Sequence, residues 1–458
     1  MSNKDNYLQF IQDKSHISGL HGFTPTFLPD WMFDFQKYLV EWSLKKGRSA
    51  MFADCGLGKT PMQLVWSENV VRKTNKPVLI LTPLAVSYQT EREAKKFDIE
   101  ASVSRDGTVM KNITITNYEK LSKFDPSDFS GIVCDESSII KNFAGVRKTE
   151  VTEFMKKMKY RLLATATAAP NDFIELGTSS EALGELGRMD MLSRFFVNDE
   201  KSNHPVFWGA RWRFKKHGEK MFWRWVASWA RAIRYPSDYG FEDEGFVLPG
   251  LEVVENVLEN GVYTHSSGQM SLVPIIAKGL AEERHIKNET IDDRCKFATE
   301  KVLNHERSVI WCHMNKEGDL LEKIVPDSVQ VAGKHSDEQK EEAFKAFSDG
   351  EVKRIITKPK IGGFGLNWQH CNHMTYFSDH SFEKYYQSVR RCYRFGQKEK
   401  VTVDMISTQS ESGIGRNLSR KSKQAQEMFT QLIKLMNDGL TIDNRTSFTK
   451  PTNLPTWL

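Results

Sequence analysis

Two short runs in this 458-residue chain carry residue types whose spacing suits phosphate chemistry. The first is Ala53-Asp54-Cys55-Gly56-Leu57-Gly58-Lys59-Thr60, which follows an apolar run and precedes a helical segment opening near Pro61, a residue suited to a first helical turn. Glycines let backbone N–H groups turn onto phosphate oxygens, and the helix N-terminus adds a favourable dipole. In such a loop Lys59 reaches the β and γ phosphates and Thr60 ligates Mg2+. Gly56, Gly58, Lys59 and Thr60 are therefore candidate nucleotide-binding residues, although Ala53 stands where the general pattern has its first glycine. The second run is Ile132-Val133-Cys134-Asp135-Glu136, a carboxylate pair closing an apolar strand. In that setting Asp135 would hold the metal with Thr60, and Glu136 would orient and polarise an attacking water. These two features alone also fit a small-molecule kinase.

A third constellation lies far downstream. A helix capped by Ser381 and stopped at Gly396 would place Gln387, Arg391 and Arg394 on one face, at i, i+4 and i+7. Two arginines and a glutamine presented together suit recognition of a γ-phosphate and of charge developing in phosphoryl transfer. The preceding glycine loop, Lys360 to Asn367, contains Gly363, where a bare backbone permits close approach to a ligand.

The elements that must position these groups are legible as short β-rich runs between helical stretches. Ser49 to Ala53, Val78 to Thr82, Ile113 to Thr116, Gly131 to Cys134 and Arg161 to Thr165 predict one parallel sheet covered on both faces. Val309 to Cys312, Val329 to Val331, Arg354 to Thr357, Met374 to Phe377 and Val401 to Ile406 predict a second. The expected organisation is an N-terminal segment over 1–30, a first lobe over 31–175 and a helical aromatic and basic insertion over 176–255. A linker over 256–280, a second lobe over 281–436 and a polar tail over 437–458 complete it.

The ordered set of motifs resembles superfamily 2 helicases of the DEAD/DEAH type, within their Swi/Snf-related group. Gln387-x-x-x-Arg391-x-x-Arg394-x-Gly396-Gln397 is similar to that group's last helicase motif. Gln36, Leu81-Thr82-Pro83, Asn117-Tyr118-Glu119, Asp135-Glu136 with Lys141-Asn142, and Thr165-Ala166-Thr167 with Asn171 match other motifs in order, between Phe35 and Gln397. The compact length and Trp-rich insertion resemble phage-encoded members. The resemblance implies an α/β fold of two RecA-like P-loop NTPase lobes with ATP and Mg2+ between them, Gln36 on adenine, and Gly363 and Gln387 on the nucleotide. It further implies Arg391 and Arg394 as fingers, Thr165, Thr167 and Asn171 as coupling residues, Thr82 on nucleic acid, and hydrolysis coupled to translocation on DNA. Three departures bear on coupling rather than on ATP binding. Asp135-Glu136-Ser137-Ser138 lacks the common histidine, Ala166 and Ala168 replace a glycine and a proline, and Lys358-Pro359-Lys360 replaces a hydroxyl-rich start to the glycine loop.

Composition narrows the partners. With 64 lysines and arginines against 59 acidic residues the net charge is only +5, yet His204 to Tyr235 holds eight of those cations, five tryptophans and the single acidic residue Glu219. Phe222, Trp225, Trp229 and Ile233 fit an apolar helical stripe, while Arg224, Ser228 and Arg231 fit another face. The expectation is aromatics in the core and Arg211, Arg213, Arg224 and Arg231 on phosphates, with base stacking by Trp208 or Trp212 as the sharper option. Duplex DNA is the expected partner ahead of single strands, and RNA is the alternative. Hydrophobic content of 39% supports folded cores, and no apolar run approaches the ~20 residues of a membrane span. No membrane partner is expected, and Met1 to Lys14 lacks a secretory pattern, so the expectation is a soluble cytoplasmic protein. The six cysteines contain no C-x-x-C pair, and His370-Cys371-Asn372-His373 lacks a second ligand pair, so no structural zinc is expected.

Overall fold

The computed structural model of the chain describes residues 19–141, 145–169, 172–198, 212–258, 263–264, 270–271, 280–363, 366–409 and 412–443. They fall into two compact units: residues up to Asp243 with those from Gln424 onward, and Glu244–Lys423.

The first unit is organised by a parallel sheet of seven strands among the described residues. These are β1 (Arg48–Ala53), β2 (Val78–Thr82), β3 (Ala101–Val103), β4 (Ile113–Asn117), β5 (Gly131–Asp135), β6 (Tyr160–Ala164) and β9 (Ala230–Ile233), in the order β3-β4-β2-β5-β6-β1-β9. A separate antiparallel pair, β7 (Phe196–Asn198) with β8 (Trp212–Phe214), precedes β9. Strands β2, β4, β5 and β6 are buried along their whole length, Thr114, Thr116 and Asn117 of β4 and Arg161 of β6 included, as strands of a sheet covered on both faces must be. Strand β6 lies between β1 and β5, so the loop after β1 and the acids after β5 emerge on the same carboxyl edge one strand apart.

The aromatic segment belongs to this unit rather than standing apart. Helices Leu176–Leu183, Arg188–Phe195 and Gly218–Trp229 put Leu183, Phe195, Phe222, Trp223, Trp225 and Trp229 into one hydrophobic core with Phe52 of β1 and Leu79 of β2. The expected helical stripe ends at Trp229, because residues 230–233 leave the helix and pair in parallel with β1. Arg231 therefore does not share the helical face of Arg224 and Ser228. Met428, Phe429 and Leu432, from the long helix Ser412–Asp443, complete the same core, so that helix runs through the start of the expected tail.

The second unit carries β10 (Leu251–Leu258), β13 (Ser308–Trp311), β14 (Ser328–Val331), β15 (Arg354–Thr357), β16 (His373–Phe377) and β17 (Val401–Thr408) in the order β10-β17-β16-β13-β15-β14, again all parallel. A two-residue pair, β11 (Tyr263–Thr264) with β12 (Met270–Ser271), lies between β10 and β13 in the chain. Because β10 pairs with β17, the second lobe begins before the expected linker. Helix Ile291–Leu303 covers the sheet through Cys295, Ala298 and Val302, packed with Ile310, Ile356 and Ile406. A buried ion pair, Arg294 Nη1 to Glu317 Oε1 at 2.7 Å, lies beside this core. The other Glu317 oxygen accepts the His313 and Met314 amides, which fixes the turn leaving β13. The two lobes of parallel sheet flanked by helices are thus the fold class expected. No helix among the described residues is long and apolar enough to cross a membrane.

Candidate nucleotide site

Strand β1 delivers the chain into a loop that its glycines make feasible. Gly56 and Gly58 sit at φ of 91° and 77°, backbone states that L side chains disfavour, and Gly58 caps the helix Lys59–Thr74. A Cβ on Gly58 would lie 2.3 Å from Nε2 of Gln36, so a side chain there would also displace that amide. Gln36 is buried in the helix Asp34–Lys46; its Nε2 donates to the Leu57 carbonyl at 2.9 Å and its Oε1 accepts the Phe33 amide at 3.2 Å. Gln36, the residue expected on adenine, is thus held against the loop that follows β1. Lys59 folds over that loop, donating through Nζ to the carbonyls of Ala53 at 3.0 Å and Asp54 at 3.5 Å. Thr60 follows, half-buried.

Strand β5 carries the acids to the same edge. Gln63, one turn into the loop helix and buried, donates to Asp135 Oδ1 at 2.6 Å, tying the loop helix to the acid strand across the intervening β6. Burial and then the charge of Glu136 push the Asp135 carboxyl up to about 7, opposed by the Gln63 hydrogen bond and by Lys59. A desolvated carboxylate held by the neutral donors of Gln63 and the Glu136 backbone, with a threonine hydroxyl at the loop helix start, supplies the hard oxygens that suit Mg2+.

Glu136 takes a left-handed backbone at φ 51°, unusual for a residue with a Cβ. Two contacts hold this turn. Tyr118 Oη donates to the Asp135 carbonyl at 2.7 Å, and Thr165 Oγ1 donates to Glu136 Oε2 at 3.2 Å. Thr165 Oγ1 also accepts the Thr167 amide at 3.0 Å, so the segment after β6 is wired to the acid expected to orient water. Asn171 lies outside the described residues. Tyr118 belongs to a motif recognised in the sequence, but its role as a support for Asp135 depends on β2 alone separating β4 from β5.

In the second unit the expected continuous helix stops early. It spans Phe382–Val389, and residues 390–396 form turns, so Arg391 and Arg394 are not on a helical face with Gln387. The two arginines are gathered differently: Nη1 of Arg391 and Nη1 of Arg394 both donate to the Leu366 carbonyl at 3.1 Å. Arg391 also donates through Nε to the Gln387 carbonyl at 2.9 Å, and Gln387 is buried with its Nε2 unpartnered. Gly363 has its own structural demand, since a Cβ there would meet the Pro359 carbonyl oxygen at 2.2 Å.

The residues expected on nucleic acid separate. Arg213 and Arg224 are exposed, whereas Trp208 and Arg211 lie outside the described residues. Arg231 is buried in β9, its guanidinium 4.1 Å from the Trp42 ring centroid and its Nη1 donating to the carbonyls of Ala227 at 2.6 Å and Ala230 at 3.2 Å. That corrects the expectation of a phosphate contact, because the charge is spent inside the fold. Thr82 is likewise corrected: its side chain is fully buried and its Oγ1 lies 2.8 Å from Ser87 Oγ.

Residues 287–396 match the helicase conserved C-terminal domain family. YwqA of Bacillus subtilis strain 168, named as an ATP-dependent helicase/translocase, is 23% identical over 443 residues, covering 82% of this chain and 46% of its own length. YqhH of the same organism, named as an uncharacterized ATP-dependent helicase, is 22% identical over 435 residues, covering 85% of this chain and 76% of its own. The chain thus spans about half the length of the first of these relatives. The SWI2/SNF2 ATPase core of Sulfolobus solfataricus in complex with dsDNA aligns with a TM-score of 0.43 at 16% identity, covering 91% of this chain and 96% of that one.

Proposed function

We propose that this chain is an Mg2+-dependent ATP hydrolase of the Swi/Snf-related helicase type that couples hydrolysis to movement on DNA. The observation that carries the reading is the 2.6 Å hydrogen bond from Gln63 of the phosphate-loop helix to Asp135, with Glu136 adjacent. It holds the glycine loop with Lys59, the Asp135 carboxyl and Glu136 at one sheet edge, which supports reading them as a triphosphate cradle, a metal ligand and a water-orienting acid. The match of residues 287–396 to a helicase C-terminal domain, and the names of both Bacillus relatives, support the helicase class over a kinase.

In this reading the loop amides and Lys59 hold the β and γ phosphates, and Thr60 and Asp135 hold Mg2+, which neutralises charge on the phosphate oxygens when bound. Glu136 orients the water whose oxygen bonds to the γ-phosphorus as the bond to the ADP oxygen breaks. The motif resemblance assigns Arg391 and Arg394 to the charge that develops, and Thr165 bonds Glu136 from the segment read as coupling. Duplex DNA is placed ahead of single strands on the motif resemblance, with exposed Arg213 and Arg224 as backbone contacts. A compact, phage-encoded member acting in a host cytoplasm belongs to the same reading.

Steady-state ATPase assays with duplex DNA, single-stranded DNA or RNA test it. Stimulation by DNA, with Glu136→Gln binding nucleotide but not turning it over, is the expected result. Intact ATP binding without stimulation by any polynucleotide would refute the motor and leave a nucleotide-gated clamp.

A further inference from the structure

The second unit begins at Glu244, and its first residues run irregularly before β10. Glu244, Gly245 and Val247 are exposed there, but Phe246 is only 6% exposed. Its partner is Phe395, with ring centroids 4.8 Å apart and planes tilted by 36°. The approach is close enough to constrain the neighbouring residue, since a Cβ on Gly245, which has φ 79°, would lie 3.3 Å from the Phe395 ring.

Phe395 occupies the middle of the arginine turn. Arg394 precedes it, with Nη1 on the Leu366 carbonyl, and Gly396 follows at φ 90°. Gln369 Nε2 donates to the Phe395 carbonyl at 3.2 Å, and the Gln397 amide donates to the Arg394 carbonyl at 3.0 Å. The backbone of the turn is thereby fixed on one side by hydrogen bonds. On the side of the Phe395 ring, which is still 37% exposed, Phe246 supplies an apolar stop.

We propose that Phe246 is a positioning residue for Arg394: it clamps the segment that opens the second unit onto the arginine turn and so fixes where the Arg394 guanidinium is presented. The inference rests on the ATPase reading above and adds to it a group outside every helicase motif seen in the sequence. It touches no nucleotide itself. Its effect must therefore pass through Arg394 and fall on turnover rather than on ATP affinity.

Phe246→Leu keeps an apolar side chain at the site but removes three carbons together with the ring contact, so the thermal midpoint is measured alongside the rate. A paired-ring contact of this geometry corresponds to about a two- to tenfold change in rate. The expected result is a fall of that size in kcat, with KM for ATP unchanged, in a protein whose thermal midpoint stays close to wild type. Phe246→Tyr, which keeps the ring, restores kcat. In an Arg394→Ala background Phe246→Leu should have no further effect, because the residue through which it acts is gone. Unchanged kcat in Phe246→Leu, or an equal loss with and without Arg394, would overturn the inference while leaving the ATPase reading intact. Absence of turnover in the wild-type protein, with or without DNA, would instead overturn the reading on which it rests.

Discussion

Gln63 gives the sharpest test of how the site is assembled. It is buried, and its amide donates to Asp135 Oδ1 at 2.6 Å, a short bond to a carboxyl that burial and the Glu136 charge push up to about 7. Gln63→Leu keeps similar bulk and removes the donor. A hydrogen bond to a charged group contributes about 1.5–3 kcal/mol, and loss of an outer-shell partner of a metal ligand commonly costs about 10- to 100-fold in metal affinity or activity. The two magnitudes agree, since ~1.4 kcal/mol corresponds to a factor of ten. The variant should therefore need about 10- to 100-fold more Mg2+ for half-maximal ATP turnover. Binding of a fluorescent ATP analogue in EDTA should change little, because the loop amides and Lys59 are untouched. Steady-state hydrolysis titrated with MgCl2 at saturating ATP is the assay, accompanied by a thermal melt to establish folding. A folded variant whose Mg2+ half-saturation and kcat both match wild type would refute the claim that Gln63 organises the metal carboxylate.

Two further outcomes follow from charges placed inside and outside the fold. Arg231→Ala should lower stability by about 2–4 kcal/mol, read as a drop in the urea midpoint, because it strips a buried guanidinium from Trp42 and two carbonyls. It should leave the salt dependence of DNA binding unaltered, whereas exposed Arg224→Ala should reduce that slope by about 1 if it meets a phosphate. The reverse pattern would restore Arg231 as a DNA contact. Burial alone would raise the Asp404 carboxyl, but hydrogen bonds from His373, Asn256 and Lys301 outweigh it and hold the pKa at about 2. A depressed carboxylate contributes stability that is present above its unfolded value of ~3.9 and is lost as pH falls through the folded value. The second unit should accordingly lose about 2 kcal/mol between roughly pH 4.5 and 2, and Asp404→Asn should flatten that limb of an acid-unfolding curve. An unchanged acid limb in the Asn variant would remove Asp404 from the account.

Legibility of the fold tracked where the stabilising partners lie along the chain. Strands such as β2 and β5 are short apolar runs buried on both faces, so their own residues announce them. Strand β9 reads as Ala-Arg-Ala-Ile and does not, because its arginine is accommodated by two carbonyls and by the ring of Trp42, which comes from a helix nearly 190 residues earlier. Strand β10 mixes Glu252, Glu255 and Asn256 with exposed Leu251, Val253 and Val257 at a sheet edge, a pattern that divides it between the expected insertion, up to 255, and the expected linker, from 256. The phosphate loop was legible for the opposite reason, since its glycines, lysine and threonine act over eight consecutive residues. The arginines were found by type but misplaced in geometry: the group that gathers them is the Leu366 carbonyl, 25 residues from Arg391 and 28 from Arg394. A carbonyl has no signature in sequence.

The acid turn shows why the departures from the helicase pattern need not weaken the site. A glutamate at φ 51° sits in a region that costs an L residue about 1–2 kcal/mol, so the surroundings must over-determine it. Tyr118 fixes the carbonyl before it and Thr165 fixes its side chain, and both anchors come from the carboxyl ends of other strands in the same sheet. Neither anchor involves Ser138, which stands where the pattern has histidine. The orientation of Glu136 is therefore set from β4 and β6, and the substitution at Ser138 leaves both of these anchors in place. The same reasoning separates the two halves of the coupling segment. Thr165 bonds Glu136 directly, whereas the Thr167 backbone reaches it through Thr165 Oγ1, so in the proposed reading that hydroxyl is the joint at which a movement of the segment would change the orientation of Glu136.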